Sequence, residues 1–201
     1  MPPMHPASEF QILRPGLAYW QAYDPAVKTD LGCCAFETPA GLILTDPVPL
    51  EESALEELTA GRPPHAILLT SANHERNASD LAHRFGIDLW AHSAATGLVA
   101  ATRWFEDGEK LFGAAEAVYL DGFAPGEAAF WLDGALLVGD ALINVPPYGF
   151  AMLPDKYCAD PKAGRSSLKA LLRFPVEILT FAHGLPIVSR ARERLAELIA
   201  Q

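Results

Sequence analysis

The chain has 201 residues, half of them hydrophobic, which is enough for a full core and favours a single domain over residues 1–201. Its formal net charge of −10 argues against nucleic acid and an anionic membrane surface as partners, because both require a basic face. Met1–Phe10 has no features of a secretory signal, and no apolar run approaches the roughly 20 residues that span a bilayer. We therefore expect a cytoplasmic protein.

The first half of the chain predicts a hairpin followed by a strand–helix–strand unit. Turn residues separate two apolar runs, and a later continuous apolar run is typical of a strand buried on both faces. The predicted elements are strands at Gly32–Phe36 and Gly41–Thr45, a helix at Leu50–Ala60, a strand at Ala66–Thr70, a helix ending at Gly86 and a strand at Ile87–Ala91.

The second half predicts a further hairpin and a closing strand and helix. Asp133-Gly134 is a strong hairpin signal. Asn144–Pro161 is rich in proline and aromatic residues without periodicity, so we predict a long ordered loop there. The remaining predictions are strands at Ala117–Leu120, Ala128–Leu132, Ala135–Val138 and Val176–Thr180, and helices at Gly164–Arg173 and Ser189–Ala200.

Five short segments, in this order and at this spacing, resemble motifs of the metallo-β-lactamase superfamily. They are Gly41–Asp46, Leu68–Thr70, Pro125-Gly126, Gly139-Asp140 and Ala182–Gly184. The resemblance implies an α/β fold of four layers, an αββα sandwich in which two mixed sheets face each other with helices outside. It also implies a metal-dependent hydrolase, with Asp46 as a carboxylate that supports the cleft.

The departures from the family pattern concern the metal ligands. Where family members carry His-x-His-x-Asp-His, this chain has Ser71–Arg76, and at the Pro-Gly loop Phe123 and Glu127 stand where the family has histidines. Only Asp140 and His183 match. A guanidinium cannot lose its proton in a protein, so Arg76 at a ligand position repels a cation. These substitutions argue against a dinuclear zinc centre.

Two interpretations of the centre stay open. Glu75, Asp140 and His183 could hold one divalent metal, and two carboxylates with an imidazole suit zinc, iron or manganese. Alternatively no metal binds, and Arg76 pairs with Glu127 or Asp140 through charge-assisted hydrogen bonds. Either way, we expect the Ser71–Arg76 turn, the loop ending at Glu127, Asp140 and His183 to meet at one edge of the sandwich.

The candidate catalytic residues are His74, Arg76 and Glu127. His74 either points to solvent or turns inward as a general base, for which its ordinary pKa is suited. The predicted function is hydrolysis of a small ester, thioester or similar substrate. The alternative is a catalytically inactive pocket that binds a small anionic ligand through Arg76. Both hypotheses name a small molecule as the partner.

Overall fold

A seven-stranded mixed sheet forms the first half of the protein in a computed structural model, which describes residues 4–200. Its strands are β1 (Gln11–Arg14), β2 (Leu17–Asp24), β3 (Thr29–Thr38), β4 (Gly41–Thr45), β5 (Pro64–Leu68), β6 (Asp88–His92) and β7 (Arg103–Phe105). They follow one another across the sheet in chain order. β1 to β4 form an antiparallel meander, and β4 to β7 run parallel. The predicted hairpin and strand–helix–strand unit are confirmed, whereas β1, β2 and β7 were not predicted.

The second half builds a five-stranded sheet and a separate hairpin. The strands are β8 (Lys110–Leu111), β9 (Ala115–Tyr119), β10 (Ala128–Leu132), β11 (Ala135–Val138), β12 (Leu142–Val145), β13 (Gly149–Met152) and β14 (Ile178–Phe181). The sheet order is β14-β11-β10-β9-β8, with β11 and β14 parallel. Asp133 and Gly134, both with positive φ, form the predicted turn between β10 and β11.

The prediction of a long loop over residues 144–161 was wrong in part. β12 and β13 pair as an antiparallel hairpin from Leu142 to Met152, and a short 3-10 helix follows at Asp155–Tyr157. The run that includes Pro146, Pro147 and Tyr148 hid the hairpin, because it interrupts the alternation that identifies strands.

The two sheets pack face to face, and helices cover their outer faces. Tyr19 belongs to the inner cluster between the sheets, and its neighbour Trp20 to the outer cluster under the helices, as strand alternation requires. Across the interior, the ring centroids of Phe105 and Phe130 lie 5.4 Å apart. This arrangement confirms the predicted αββα sandwich.

Four α-helices and a 3-10 segment form the outer layers of the described residues. They are α1 (Glu52–Thr59), α2 (Ala78–Phe85), α3 (Pro161–Ser167), the 3-10 helix Leu168–Arg173 and α4 (Ala191–Ile199). α1 and α2 pack on the seven-stranded sheet, and the 3-10 segment and α4 on the other. Between residues 4 and 200, none of these helices is long and apolar enough to cross a membrane.

Candidate functional site

The candidate site lies where the carboxyl ends of strands from both sheets meet. Asp46 follows β4 and Thr70 lies just beyond β5, and these two strands are parallel neighbours. Asp140 follows β11 and His183 follows β14, which are also parallel neighbours. Parallel strands end at the same edge of a sheet, so both pairs of polar residues are brought to one end of the sandwich.

His74 connects the polar residues of the two sheets. It lies in a 3-10 turn, Ala72–His74, and its side chain is only 4% exposed. Its Nδ1 is 3.0 Å from Asp46 Oδ2 and 2.8 Å from Thr70 Oγ1, and its Nε2 is 3.1 Å from Asp140 Oδ1. The Thr70 hydroxyl donates to Asp46 Oδ2 at 2.5 Å, so we assign the Nδ1 proton of His74 to the same carboxylate.

His183 completes a three-residue cluster with His74 and Asp140. Its Nε2 lies 3.0 Å from Asp140 Oδ1. One ligand atom from each of the three side chains lies within 4.8 Å of the other two. Asp140 and His183 are 16% and 21% exposed, so the cluster opens to solvent on their side and is closed behind His74.

The backbone around Asp140 and His183 tolerates only glycine. A Cβ at Gly139 would lie 2.5 Å from Thr70 Oγ1 and 2.6 Å from Glu127 Oε1. A Cβ at Gly184 would lie 2.0 Å from the carbonyl oxygen of Asn144, and the φ of Gly184 is +102°. These close approaches let the strand ends come together around the cluster.

The charges of the cluster stabilise one another. Burial by itself lowers the pKa of His74, but the Asp140 and Asp46 carboxylates outweigh burial and the repulsion from Arg76, and raise that pKa to about 10. Burial likewise opposes ionisation of Asp140, yet His74 and His183 hold its pKa well below the ordinary value. Without a metal, His74 is therefore an imidazolium between two carboxylates at neutral pH.

Glu127 is fully buried beside this cluster. Its Oε1 accepts the main-chain N–H of Ala141 at 2.9 Å, and its Oε2 has no hydrogen-bond partner among the described residues. Burial, together with the negative charge of Asp140, raises the pKa of Glu127 well above the ordinary value. A neutral carboxylic acid therefore stands where the resemblance implied a histidine. Its contact to Ala141 holds the backbone next to Asp140.

Arg76 does not form the predicted ion pair with Glu127 or Asp140 anywhere in residues 4–200. Its Nη1 donates to the carbonyl oxygens of Gly32 and Asp46 at 2.7 and 3.1 Å, and its Nη2 to that of Ala182 at 3.5 Å. The guanidinium thus joins main-chain segments from both sheets. Main-chain carbonyls, rather than a carboxylate, satisfy it.

Glu75 was predicted as a metal ligand, but in the structure its carboxylate has other partners. Its carboxylate accepts from the hydroxyl of Ser79 and, at 3.1 Å, from the main-chain N–H of Ala100. Both partners lie outside the cluster of His74, Asp140 and His183. The tight turn directs His74 into the cluster instead of Glu75. The alternative in which His74 points to solvent is therefore wrong.

The side chains at the other family ligand positions do not join the cluster of His74, Asp140 and His183. Ser71 accepts an N–H within its own turn, Asn73 is exposed, Glu75 faces away and Arg76 is cationic. His74, Asp140 and His183 could hold a metal ion, since two imidazoles and a carboxylate suit zinc, iron or manganese. A histidine that binds metal through one nitrogen commonly donates its other N–H to a carboxylate. The contact between His74 Nδ1 and Asp46 has that geometry.

Asp46 and Thr70 complete the site and were not among the predicted site residues. Asp46 was expected only to support the cleft, and Thr70 was noted only as a strand end. The Thr70 main-chain N–H donates to Asp46 Oδ1 at 2.8 Å, so both Asp46 oxygens are engaged. In the sequence, Asp46 is marked by the Gly41–Asp46 segment, whereas Thr70 is marked only by its position at the end of an apolar run.

Comparison with known proteins agrees with this architecture. The chain is similar in fold to a metallo-β-lactamase from Erythrobacter litoralis (18% identity, 98% of this chain and 99% of that one, TM-score 0.77). It is also similar to the metallo-β-lactamase family protein TTHA1429 from Thermus thermophilus (21%, 94% and 80%, 0.69). A third similar structure is TTHA1623 in a di-iron-bound form (27%, 84% and 94%, 0.65).

Sequence comparison gives the family directly. No curated protein matches the chain. The family model described as metallo-beta-lactamase superfamily matches residues 10–201, which includes every residue of the candidate site. This chain therefore belongs to the metallo-β-lactamase superfamily.

Proposed function

We propose that this protein is a metal-dependent hydrolase that uses one divalent ion, held by His74, Asp140 and His183, to cleave a small ester or thioester. The observation that carries the proposal is the convergence of both imidazole Nε2 atoms on Asp140 Oδ1, at 3.1 and 3.0 Å. Cis ligands at ordinary metal–nitrogen and metal–oxygen bond lengths of about 2.0–2.2 Å are separated by roughly 3 Å. Two of the three donor pairs are therefore already close to the spacing that one ion needs, and all three donor atoms lie within 4.8 Å of one another.

The ion, when bound, would supply a water of lowered pKa and polarise the carbonyl of the substrate. The protein side chains prepare the site for it. Asp46 accepts the Nδ1 proton of His74, which directs the Nε2 lone pair toward the cluster. Thr70 bonds to the same carboxylate and keeps it in place. Zinc, iron and manganese all suit this donor set, and TTHA1623 supports iron as one candidate because that protein binds a di-iron centre.

A groove beside His183 could hold the body of the substrate. It has a volume of about 410 Å³ and lies between the β2–β3 hairpin and the segment that follows β12. Gly184 and Asn144 form the part of the groove wall next to His183, whose carbonyl oxygen accepts the Asn144 N–H at 3.0 Å. Lys28 and Asp30 give the wall charges of both signs, so the groove suits a polar small molecule.

The alternative function, anion binding through Arg76, has less support. Two nitrogens of the guanidinium already donate to main-chain carbonyls, which leaves fewer donors for a ligand. Releasing them would separate charge-assisted bonds that join the two sheets.

Metal content and esterase activity together test the proposal. Protein purified without an affinity tag should bind one zinc, iron or manganese ion per chain and hydrolyse p-nitrophenyl acetate or an acetyl thioester after metal is added. Asp140→Asn and His183→Ala should lose both properties. His83→Ala, which changes an exposed histidine of α2, is the matched control and should keep both. Two tightly held ions per chain, or metal binding unchanged in His183→Ala, would contradict the proposal.

A further inference from the structure

A basic stretch interrupts an otherwise acidic chain. Residues 161–176 contain Lys162, Arg165, Lys169 and Arg173 and no acidic residue, although the whole chain carries a net charge of −10. The stretch forms α3 and the 3-10 helix that follows it. The site proposed above contains none of these residues. Their local positive charge therefore needs a separate explanation.

Three of these cations line one open groove on the outer face of the five-stranded sheet. The groove has a volume of about 730 Å³ and is lined by Met152, Lys162, Arg165, Ser166, Lys169, Leu198 and Ile199. The spacing of the basic residues, 162, 165 and 169, places them on one side of a helical segment. None of the lining residues belongs to the cluster around Asp140 or to the groove beside His183.

The groove combines an apolar floor with a cationic rim. Met152, Leu198 and Ile199 are partly buried because one side of each packs against the core under α4. Their other side faces the groove. Aliphatic stems of lysines can extend such an apolar surface while the ammonium groups stay in water. A ligand with an aliphatic part would therefore find apolar contacts below the charges.

Two of the three cations are available to a ligand. Arg165 is already engaged by Asp155, with both guanidinium nitrogens at 2.9 and 3.0 Å from the carboxylate. Lys162 and Lys169 are exposed, and neither side chain has a hydrogen bond or ion pair within residues 4–200. Two ammonium groups, which lack the paired donors of a guanidinium, suit a small ligand that carries one anionic group.

We propose that this groove binds an aliphatic carboxylate, with the carboxylate between Lys162 and Lys169 and the chain along Met152, Leu198 and Ile199. A groove of this volume is within the usual range for small-molecule sites. The net charge of −10 disfavours an anionic membrane as the occupant, because such a surface repels the protein as a whole. The site is independent of the proposed hydrolase function.

Calorimetric titration with dodecanoate, kept below its critical micelle concentration, tests the site. Lys162→Glu combined with Lys169→Glu should weaken binding by about tenfold or more, since two attractive contacts become repulsive. Lys110→Glu combined with Lys156→Glu is the matched control, because it makes the same charge change at two other exposed lysines, neither of which lines either groove. Binding by the control should stay within about twofold of the parent, and raising the salt concentration should weaken binding by both proteins.

Two further probes separate the head from the chain. Acetate, which lacks the chain, should bind far more weakly than dodecanoate, and dodecyltrimethylammonium, which has the opposite charge, should not compete. The proposal is overturned if the parent protein does not bind dodecanoate, if both double variants lose binding equally, or if only the control loses it. Equal binding of the cationic amphiphile would also overturn it. All four substitutions are at exposed positions, so each protein should fold.

Discussion

Replacing His74 by leucine should destabilise the metal-free protein strongly, because it removes the cation that two buried carboxylates share. The side chains of Asp46 and Asp140 are 3% and 16% exposed, and each is within 3.1 Å of a ring nitrogen of His74. Removing one partner of a buried ion pair typically costs about 3–5 kcal/mol. For a chain of this length, 1 kcal/mol corresponds to roughly 2–4 °C, so Tm should fall by roughly 6–20 °C.

The assay is urea unfolding at pH 7 with a chelator present, so that no metal contributes. Arg84→Gln is the control, since it removes the cation of an exposed pair with Glu52 and should change stability little. If His74→Leu were no more destabilising than Arg84→Gln, the buried imidazolium would not be holding the two carboxylates, and the electrostatic reasoning would be refuted.

The pH dependence gives the same prediction an independent check. The pKa of His74 is raised to about 10 in the folded protein, so its contribution is complete below the ordinary histidine value and is lost as the pH rises through about 10. Burial also raises the pKa of Cys34, which weakens the folded protein at alkaline pH by a separate route. The measured quantity is therefore the difference in unfolding free energy between the parent and His74→Leu. That difference should shrink between pH 7 and pH 10, and a constant difference would contradict the assignment.

Three further predictions concern the other groups of the site. Glu127→Gln should change stability by less than about 1 kcal/mol in urea unfolding, because a neutral amide can still accept the Ala141 N–H. Glu127→Ala, which removes that acceptor, should cost about 1–3 kcal/mol. Equal losses of stability in the two variants would contradict a neutral Glu127. Arg76→Ala should lower the free energy of unfolding by about 1.5–3 kcal/mol. In the double variant with Glu127→Gln the two losses should add within about 0.5 kcal/mol, since a larger coupling energy would indicate a direct pair. Zinc binding at pH 7 should release about one proton from His74, measured by calorimetry in two buffers of different ionisation enthalpy, and this release should be absent in His74→Leu.

Sequence patterns identified most of the architecture, because they report burial directly. Apolar runs of four to six residues are recognisable wherever a strand is covered on both faces, as in Ala66–Thr70. Asp140 and His183 were placed at one edge of the sandwich through the family resemblance, and in the structure each lies just after one of two parallel strands, β11 and β14. The hairpin from Leu142 to Met152 could not be identified, since its turn contains prolines and its strands are short and only partly buried.

The candidate site was harder to predict because side-chain direction depends on tertiary contacts. Within the turn that contains His74, Glu75 and Arg76, spacing does not say which residue points inward. Glu75 turns outward to partners that follow it in the chain, Ser79 and Ala100. The carbonyl oxygens that bind Arg76 have no signature in the sequence, since every residue has one. The interpretation of the sequence therefore offered a carboxylate partner for Arg76, named Glu75 as a metal ligand and left the direction of His74 open.

Arg76 and His74 have separate roles in two tasks that a metal ion can perform together, which are holding the fold and performing chemistry. Arg76 joins the main chain at Gly32, Asp46 and Ala182, and so connects the two sheets without any ion. His74 neutralises Asp46 and Asp140 as a cation, and a bound metal would displace only its Nε2 proton. Because the contacts of Arg76 persist whether or not that proton is replaced, binding of a single ion should leave the scaffold intact. The chemistry of the proposed site would then depend on metal supply, while folding would not.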